Sequence, residues 1–148
     1  MTNRAIAFGF IFLFVALLGG CASVNLAPPE QDSQAKQFRS KSNVSQVYIY
    51  RDQILGSALS IPVKVNGKLL GNTGPKSYFL IELPAGNHVS DSQEGKSTLK
   101  LTTRRGRIYF VRQEIVMGFV SGNTKLSVVD AATGKEGVGK SKRIQSSM

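Results

Sequence analysis

From Val44 to Val129 the apolar residues of this chain fall into short runs with a period of two, and no stretch carries a convincing amphipathic helical period. That pattern suits strands that bury one face and argues against a helical bundle. Val47-Tyr48-Ile49-Tyr50 is a β-rich run, and Ile61, Val63 and Val65 alternate with Pro62, Lys64 and Asn66. Further strands are expected over Tyr78 to Leu83, Ser97 to Thr103, Arg107 to about Met117, and Thr124 to Val129. Asn66-Gly67 supplies a hairpin turn, because both residues tolerate the positive φ that a type I′ turn requires. A two-residue loop there pairs Val65 with Lys68 and Val63 with Leu70, placing Val63, Val65 and Leu70 on one face. Pro62 has no backbone N–H to give a ladder, so its strand is expected at a sheet edge. Short strands separated by Gly, Pro and Asn turns predict an all-β fold, a small β-sandwich or barrel-like domain of about six or seven strands.

The chain ahead of these strands has a different character. Met1 to Ala5 is short and polar and carries Arg4, and Ile6 to Leu18 is apolar apart from Gly9. That run has the length of a signal-peptide core and falls short of the roughly 20 residues that span a hydrocarbon layer. Gly19 and Gly20 follow, then Cys21, the single cysteine of the chain. Leu18-Gly19-Gly20-Cys21 resembles a lipobox. It implies cleavage between Gly20 and Cys21, a diacylglycerol on the Cys21 thiol and acylation of the new amino group. Each buried methylene adds about 0.8 kcal/mol, so two or three acyl chains anchor firmly where one does not. Ala22 after the cysteine, rather than Asp, resembles the default route to an outer membrane, with the domain facing the periplasm.

Removing residues 1–20 from the 148 leaves 128, enough for one small domain and hardly two. The expected organisation is a signal peptide over 1–20, a lipidated flexible tether over 21–43, a β-sandwich-like domain over 44–130 and a basic Gly-rich tail over 131–148. The tether reading rests on Pro28-Pro29 and on many Ser and Gln with few large apolar groups, with Phe38 docking at its end. Lys and Arg number 19 against 9 Asp and Glu; only Arg4 leaves with the signal peptide, so the mature charge is +9. Such a surface is either simply solvated or attracts anionic envelope polymers and lipid headgroups. Partners are therefore expected to be the membrane, through the N-terminal lipid, and envelope proteins or anionic polymers. Nucleic acid is excluded by location. With one cysteine no disulfide forms within the chain, and the core alone must hold the domain.

Gly134-Lys135-Glu136-Gly137-Val138-Gly139-Lys140-Ser141 satisfies the phosphate-loop pattern G-x-x-x-x-G-K-[ST]. That chemistry needs a helix starting at Lys140-Ser141, and too few residues remain to build one, so no nucleotide is expected. His88, the sole histidine, is expected to pack at a strand start and hydrogen-bond backbone. No G-x-S-x-G elbow accompanies it, and one histidine with scattered acids does not make a zinc site. No catalytic residue, metal or cofactor is assigned. Asp52, Glu82, Asp91, Glu94, Glu114 and Asp130 are expected as surface acids paired to basic neighbours, and Tyr48, Tyr50, Tyr78 and Tyr109 as half-buried strand aromatics. The basic turn Arg104-Arg105-Gly106-Arg107 is the candidate for a local anion contact through Arg104, Arg105 and Arg107.

Several of these segments also carry a family resemblance. Val47 to Asp52 (VYIYRD), Gly56 to Ala58, Ile61 to Gly71 (IPVKVNGKLLG), Ser77 to Phe79, Leu83 to His88 (LPAGNH) and Gly106 to Gln113 follow one another in the order seen in DUF2846, a family of bacterial lipoproteins. The resemblance covers roughly residues 44–130. The V-N-G-K…L-P-A-G-x-H pattern also looks like PEGA-type β-sandwich modules, although Asn72-Thr73-Gly74-Pro75 stands where those modules often have Thr-Pro. Both resemblances imply a β-sandwich, and neither brings catalytic residues. The expected role is a non-catalytic envelope accessory or interaction module, with binding of an anionic glycan or lipid headgroup as the alternative.

Overall fold

The computed structural model describes residues 24–117 and 122–148. Its elements run α1 (Pro29–Ala35), β1 (Ser45–Arg51), β2 (Ile61–Val65), β3 (Lys68–Thr73), β4 (Ser77–Leu83), β5 (Gly86–Ser92), β6 (Ser97–Thr103), β7 (Ile108–Met117), β8 (Gly122–Val129), α2 (Ala131–Gly139) and β9 (Lys142–Arg143). The strands form a five-stranded sheet, ordered β8-β7-β1-β4-β9, and a four-stranded sheet, ordered β3-β2-β5-β6. The fold is thus an all-β sandwich. Its nine strands exceed the expected count because β5 (GNHVSDS) hides its strand nature behind polar residues and β9 is a two-residue pairing.

Between the sheets lie Val47, Ile49, Phe79, Ile81, Val111 and Leu126 from one side and Val63, Val65, Leu70 and Leu101 from the other. The outward face of the five-stranded sheet is apolar too. Tyr48, Tyr50, Tyr78 and Phe110 form a second core there with Ala35 of α1 and Val138 of α2. Every residue of β1 is consequently buried. Burial on both faces explains why Val47 to Tyr50 reads as a continuous run rather than an alternation.

Two segments expected outside the domain are part of it. The described portion of the expected tether, from Val24, holds α1. Pro28 and Pro29 suit a helix start, Glu30 and Asp32 place acids in its first turn, and Phe38 closes onto the rings of Tyr48 and Phe110 at 5.4 and 5.8 Å. The expected 131–148 tail is α2 followed by β9. Asp130 caps α2, its carboxylate accepting from the Thr133 N–H at 3.0 Å. Its glycines mask the helical pattern because each lowers propensity by about 1 kcal/mol relative to Ala. Gly134 and Gly137 are required by contact, since a β-carbon on either would enter the ring of Phe110 or Tyr50.

Two local expectations also change. At the Asn66-Gly67 hairpin Val65 does face Lys68, but a bulge follows, so Lys64 faces Leu69 and Val63 faces Gly71. Leu70 is the extra residue and still points into the core, so the shared face survives the changed register. Pro62 lies in β2, which is interior between β3 and β5 rather than at an edge. It is tolerated because the β2–β5 ladder begins only at Val63, opposite Ser92.

Candidate functional site

β1 sets the two ends of the sandwich, about 20 Å apart at 3.3 Å per residue. At its Ser45 end lie the Asn66-Gly67 hairpin, the Pro84–Gly86 turn and the Arg104–Arg107 turn, whose Gly106 N–H donates to Val44 O at 2.9 Å. At its Arg51 end lie the 52–60 loop, the Gly74–Lys76 turn and the far part of β7, which runs on past the last β1 pairing at Tyr50 and Arg112.

The Arg51 end is organised by a fully buried arginine. The Arg51 guanidinium donates to Leu59 O at 2.9 Å, Gly56 O at 2.6 Å and Leu55 O at 3.3 Å, and its Nε has no partner among the described residues. Among the described residues no carboxylate pairs with it, and backbone carbonyl dipoles stabilise the charge. Burial lowers the Arg51 pKa from its ordinary value. Gln53 Oε1 accepts the Ile115 N–H at 2.6 Å, taking a donor that β1 leaves free. The loop is thereby fastened to β7 with Ile54, Leu55 and Leu59 exposed, beside the exposed Val116 and Met117.

The N-terminal segment enters along the open side of the sandwich, paired to the C-terminal segment. Leu26 bridges Ile144, Ala27 N–H donates to Arg143 O at 2.9 Å, and Gln145 N–H donates to Asn25 O at 2.8 Å. Asp32 locks this pairing. Its carboxylate accepts from Tyr78 Oη at 2.8 Å, the Arg143 N–H at 2.9 Å and Lys36 Nζ at 2.9 Å, and Lys36 also reaches Ser141 O. Burial works to raise the Asp32 pKa, but the hydrogen bonds from Lys36, Tyr78 and the Arg143 amide outweigh it and hold the carboxyl below its ordinary value. Val24, Asn25 and Ser60 line one open groove with Leu69 and Asn72 of β3. Because residues 143–145 continue β9 alongside β4, the antiparallel segment from Ala27 back to Val24 runs away from the Arg51 end.

The remaining candidates are placed as follows. Arg104, Arg105 and Arg107 are all exposed at the Ser45 end, and none has an ion-pair partner among the described residues. Arg104 N–H donates to Tyr109 Oη at 3.0 Å, which braces the turn. His88 is buried, with Nε2 at 2.9 Å from Pro84 O and Nδ1 at 2.9 Å from Asn66 Nδ2, so its polar atoms serve the backbone and the hairpin as expected. Gly134 to Gly139 lie within a helix rather than a loop ahead of one, and Ser141 is buried with its hydroxyl on Gly137 O. That arrangement presents no phosphate cradle. Asp52 and Glu114 share Arg112, Glu82 pairs Lys41, Asp91 accepts from the Gly95 N–H, and Asp130 caps α2. Tyr48, Tyr50 and Tyr78 are core residues, and burial pushes the Tyr48 and Tyr50 phenols up to about 12.

Sequence reasoning missed a buried polar chain that ties the sheets together. Thr73 donates to Gln113 Oε1, Gln113 Nε2 donates to Ser92 Oγ at 2.6 Å, and Ser92 donates to Thr124 Oγ1 at 3.0 Å. All four are buried, and their polar groups satisfy one another. Among the described residues no group of three His, Cys, Asp or Glu side chains is arranged to hold a metal, and no helix is long and apolar enough to cross a membrane. Gly20 and Cys21 lie outside the described residues.

A family model described as a protein of unknown function, DUF2846, matches residues 41–125, from just before β1 into β8. A Haemophilus influenzae protein named as an uncharacterized protein is 37% identical over 128 residues, covering 84% of this chain and 76% of that relative.

Proposed function

The chain belongs to the DUF2846 family, and from that premise we propose that it is a lipid-anchored envelope lipoprotein, a non-catalytic accessory or interaction module held at Cys21 to the periplasmic face of an outer membrane. The observation that carries this reading is the Leu18-Gly19-Gly20-Cys21 lipobox behind a short apolar run. Polar groups suited to chemistry, such as His88, Asp32 and Ser92, are engaged in holding the fold together.

The test compares wild type with Cys21→Ser in a bacterium that processes lipoproteins, by intact mass and membrane fractionation. Loss of residues 1–20, added acyl mass and sedimentation with membranes are expected for the wild type alone. Equal behaviour of the two chains defeats the reading.

A second reading, binding of an anionic glycan or lipid headgroup, is favoured by Arg104, Arg105 and Arg107, which are exposed and have no ion-pair partner among the described residues. It predicts retention on acidic polymers that weakens with salt and is lost in Arg105→Glu. Retention unchanged by that substitution removes the turn from consideration.

A further inference from the structure

Charge is divided unevenly between the two ends of the sandwich. Arg104, Arg105 and Arg107 stand on the turn into β7, Lys68 on the Asn66-Gly67 hairpin, and Arg39 and Lys41 on the segment that enters β1, all of them exposed. These elements meet at the Ser45 end, where Gly106 N–H donates to Val44 O and Lys41 N–H donates to Gln46 Oε1. Two acids come near them. Glu82, opposite Gln46 in β4, is occupied by Lys41, and Asp130, just past the pairing of Val129 with Phe110, caps α2. At the Arg51 end cations and acids are interleaved instead: Asp52 and Glu114 share Arg112, and Glu94 stands on the β5–β6 turn. The Ser45 end is therefore the face that an anionic surface attracts.

The course of the terminal segments gives this face its neighbour. β9 runs parallel to β4, from the Arg51 end toward the Ser45 end, with Lys142 opposite Ser77 and Arg143 opposite Tyr78. Ile144 and Gln145 continue in that direction, and residues 25–27 pair with this segment in the opposite sense. Followed back from Ala27 to Asn25, the chain therefore advances toward the Ser45 end. Cys21 precedes Val24 by three residues, which span at most about 11 Å when fully extended. α1 and the pairing with the C-terminal segment take up the length that a free tether would otherwise supply. A lipid on Cys21 then keeps the domain close to the headgroups, with its basic face on the side from which the chain arrives. Cations held within a Debye length of an anionic bilayer, about 8 Å at physiological salt, are drawn onto it.

We propose that the sandwich is seated by its Ser45 end on the bilayer that holds its own lipid, with Arg104, Arg105 and Arg107 on anionic phospholipid headgroups. The orientation rests on the lipid-anchored reading above. It turns the 52–60 loop and the end of β7 away from that bilayer and leaves them facing the aqueous compartment.

The test uses the full lipidated chain in vesicles of phosphatidylethanolamine and phosphatidylglycerol, with one fluorophore on Ala85→Cys or on Leu55→Cys. Ala85 is exposed on the Pro84–Gly86 turn at the Ser45 end, and labelling it leaves every cation in place. The acylated Cys21 sulfur is a thioether and does not take the label. Flotation and intact mass report anchoring, and a lipid with a nitroxide on its headgroup reports which position meets the surface. The expected result is strong quenching at position 85 and little at position 55, about 20 Å away along β1. Quenching at 85 is expected to fall several-fold in phosphatidylcholine vesicles and at about 1 M salt, where the Debye length is about 3 Å. The same fall is expected when Arg104, Arg105 and Arg107 are all changed to Gln, with Tm reporting whether that variant keeps its fold. Should Tm fall, the neutral vesicles and the salt series decide with the chain intact. A chain that floats with position 55 quenched as strongly as 85, or with neither quenched, overturns the orientation alone. Quenching at 85 that ignores salt, lipid charge and the three substitutions overturns the role of the arginines. Position 85 shielded only on adding a soluble acidic polysaccharide assigns the turn to a glycan and overturns the seat. A chain that carries no acyl mass and does not float overturns the anchored reading, and the orientation with it.

Discussion

Gly137 of α2 lies against the ring of Tyr50 so closely that a β-carbon at that position would stand inside 3.0 Å of three ring atoms. Tyr50 is fully buried and has no room to retreat. Alanine is the better helix former by about 1 kcal/mol, but overpacking here costs about 1–3 kcal/mol. Gly137→Ala is therefore expected to lower Tm. Gly139→Ala, where a β-carbon meets nothing within 4 Å, is expected to hold Tm or raise it. Thermal unfolding of the two variants side by side checks this, and an equal response would show that α2 does not press on the sheet.

Asp32 joins α1, β4 and β9. Asp32→Ala leaves Tyr78 Oη and the Arg143 N–H without their carboxylate, at a cost of about 1–3 kcal/mol for each buried group left unsatisfied. Its pKa is depressed in the folded state, so its contribution is complete above the unfolded value of about 3.9 and fades as the pH falls through the folded value. Stability measured from pH 7 downward is expected to drop below about pH 4 in the wild type and to drop less steeply in Asp32→Asn. Limited trypsin digestion at Lys36 reads the clasp directly, with faster cleavage expected in Asp32→Ala.

Arg51→Met separates loop order from global stability. The carbonyls of Leu55, Gly56 and Leu59 lose charge-assisted bonds worth about 1.5–3 kcal/mol each, and the molecule sheds a buried charge that has no acidic partner. These effects oppose each other in Tm but not in the loop. The Leu59 amide, which donates to Gly56 O at 2.8 Å, is expected to exchange with solvent at least about tenfold faster, the ratio that 1.4 kcal/mol produces. Unchanged exchange at Leu59 would mean that the loop holds its shape without the arginine.

Asn66 couples the β2–β3 hairpin to β5. Its Oδ1 accepts the Val89 N–H at 3.0 Å, which fixes the amide so that Nδ2 donates to His88 Nδ1. His88 must then carry its proton on Nε2 and donate to Pro84 O. Nitrogen-15 NMR is expected to show the Nε2–H tautomer in the wild type. Asn66→Ala is expected to lose about 1–3 kcal/mol, because it leaves a ring nitrogen and an amide unpaired at a position with φ of 51°. The Nδ1–H tautomer would contradict the assigned hydrogen bonds.

The β-runs were legible because strands buried on one or both faces concentrate Val, Ile, Tyr and Leu, as in Val47 to Tyr50 and Tyr78 to Leu83. β5 was not, because His88, Ser90 and Ser92 fill its buried face, and the partners of His88 (Pro84 O and Asn66) and of Ser92 (Gln113 and Thr124) come together only in the packed sheets. α1 and α2 were hidden for different reasons. Pro28-Pro29 and the polar composition of α1 look like a linker, although its burial rests on Ala35 and Asp32 alone. The glycines of α2 look like a loop, although they are the contacts that let the helix approach Phe110 and Tyr50.

By itself the sequence determined an all-β domain, the turn at Asn66-Gly67, the packing of His88 and membership of the family. Each depends on local periodicity, on turn chemistry or on residue order, all of which are written along the chain. Only the tertiary structure decided which strands are neighbours, that α1 and the C-terminal segment are clasped through Asp32, and that Gln53 fastens the 52–60 loop to β7. These relationships join residues separated by long stretches of chain. Their energies come from burial and hydrogen bonding across that separation, and no local pattern encodes them.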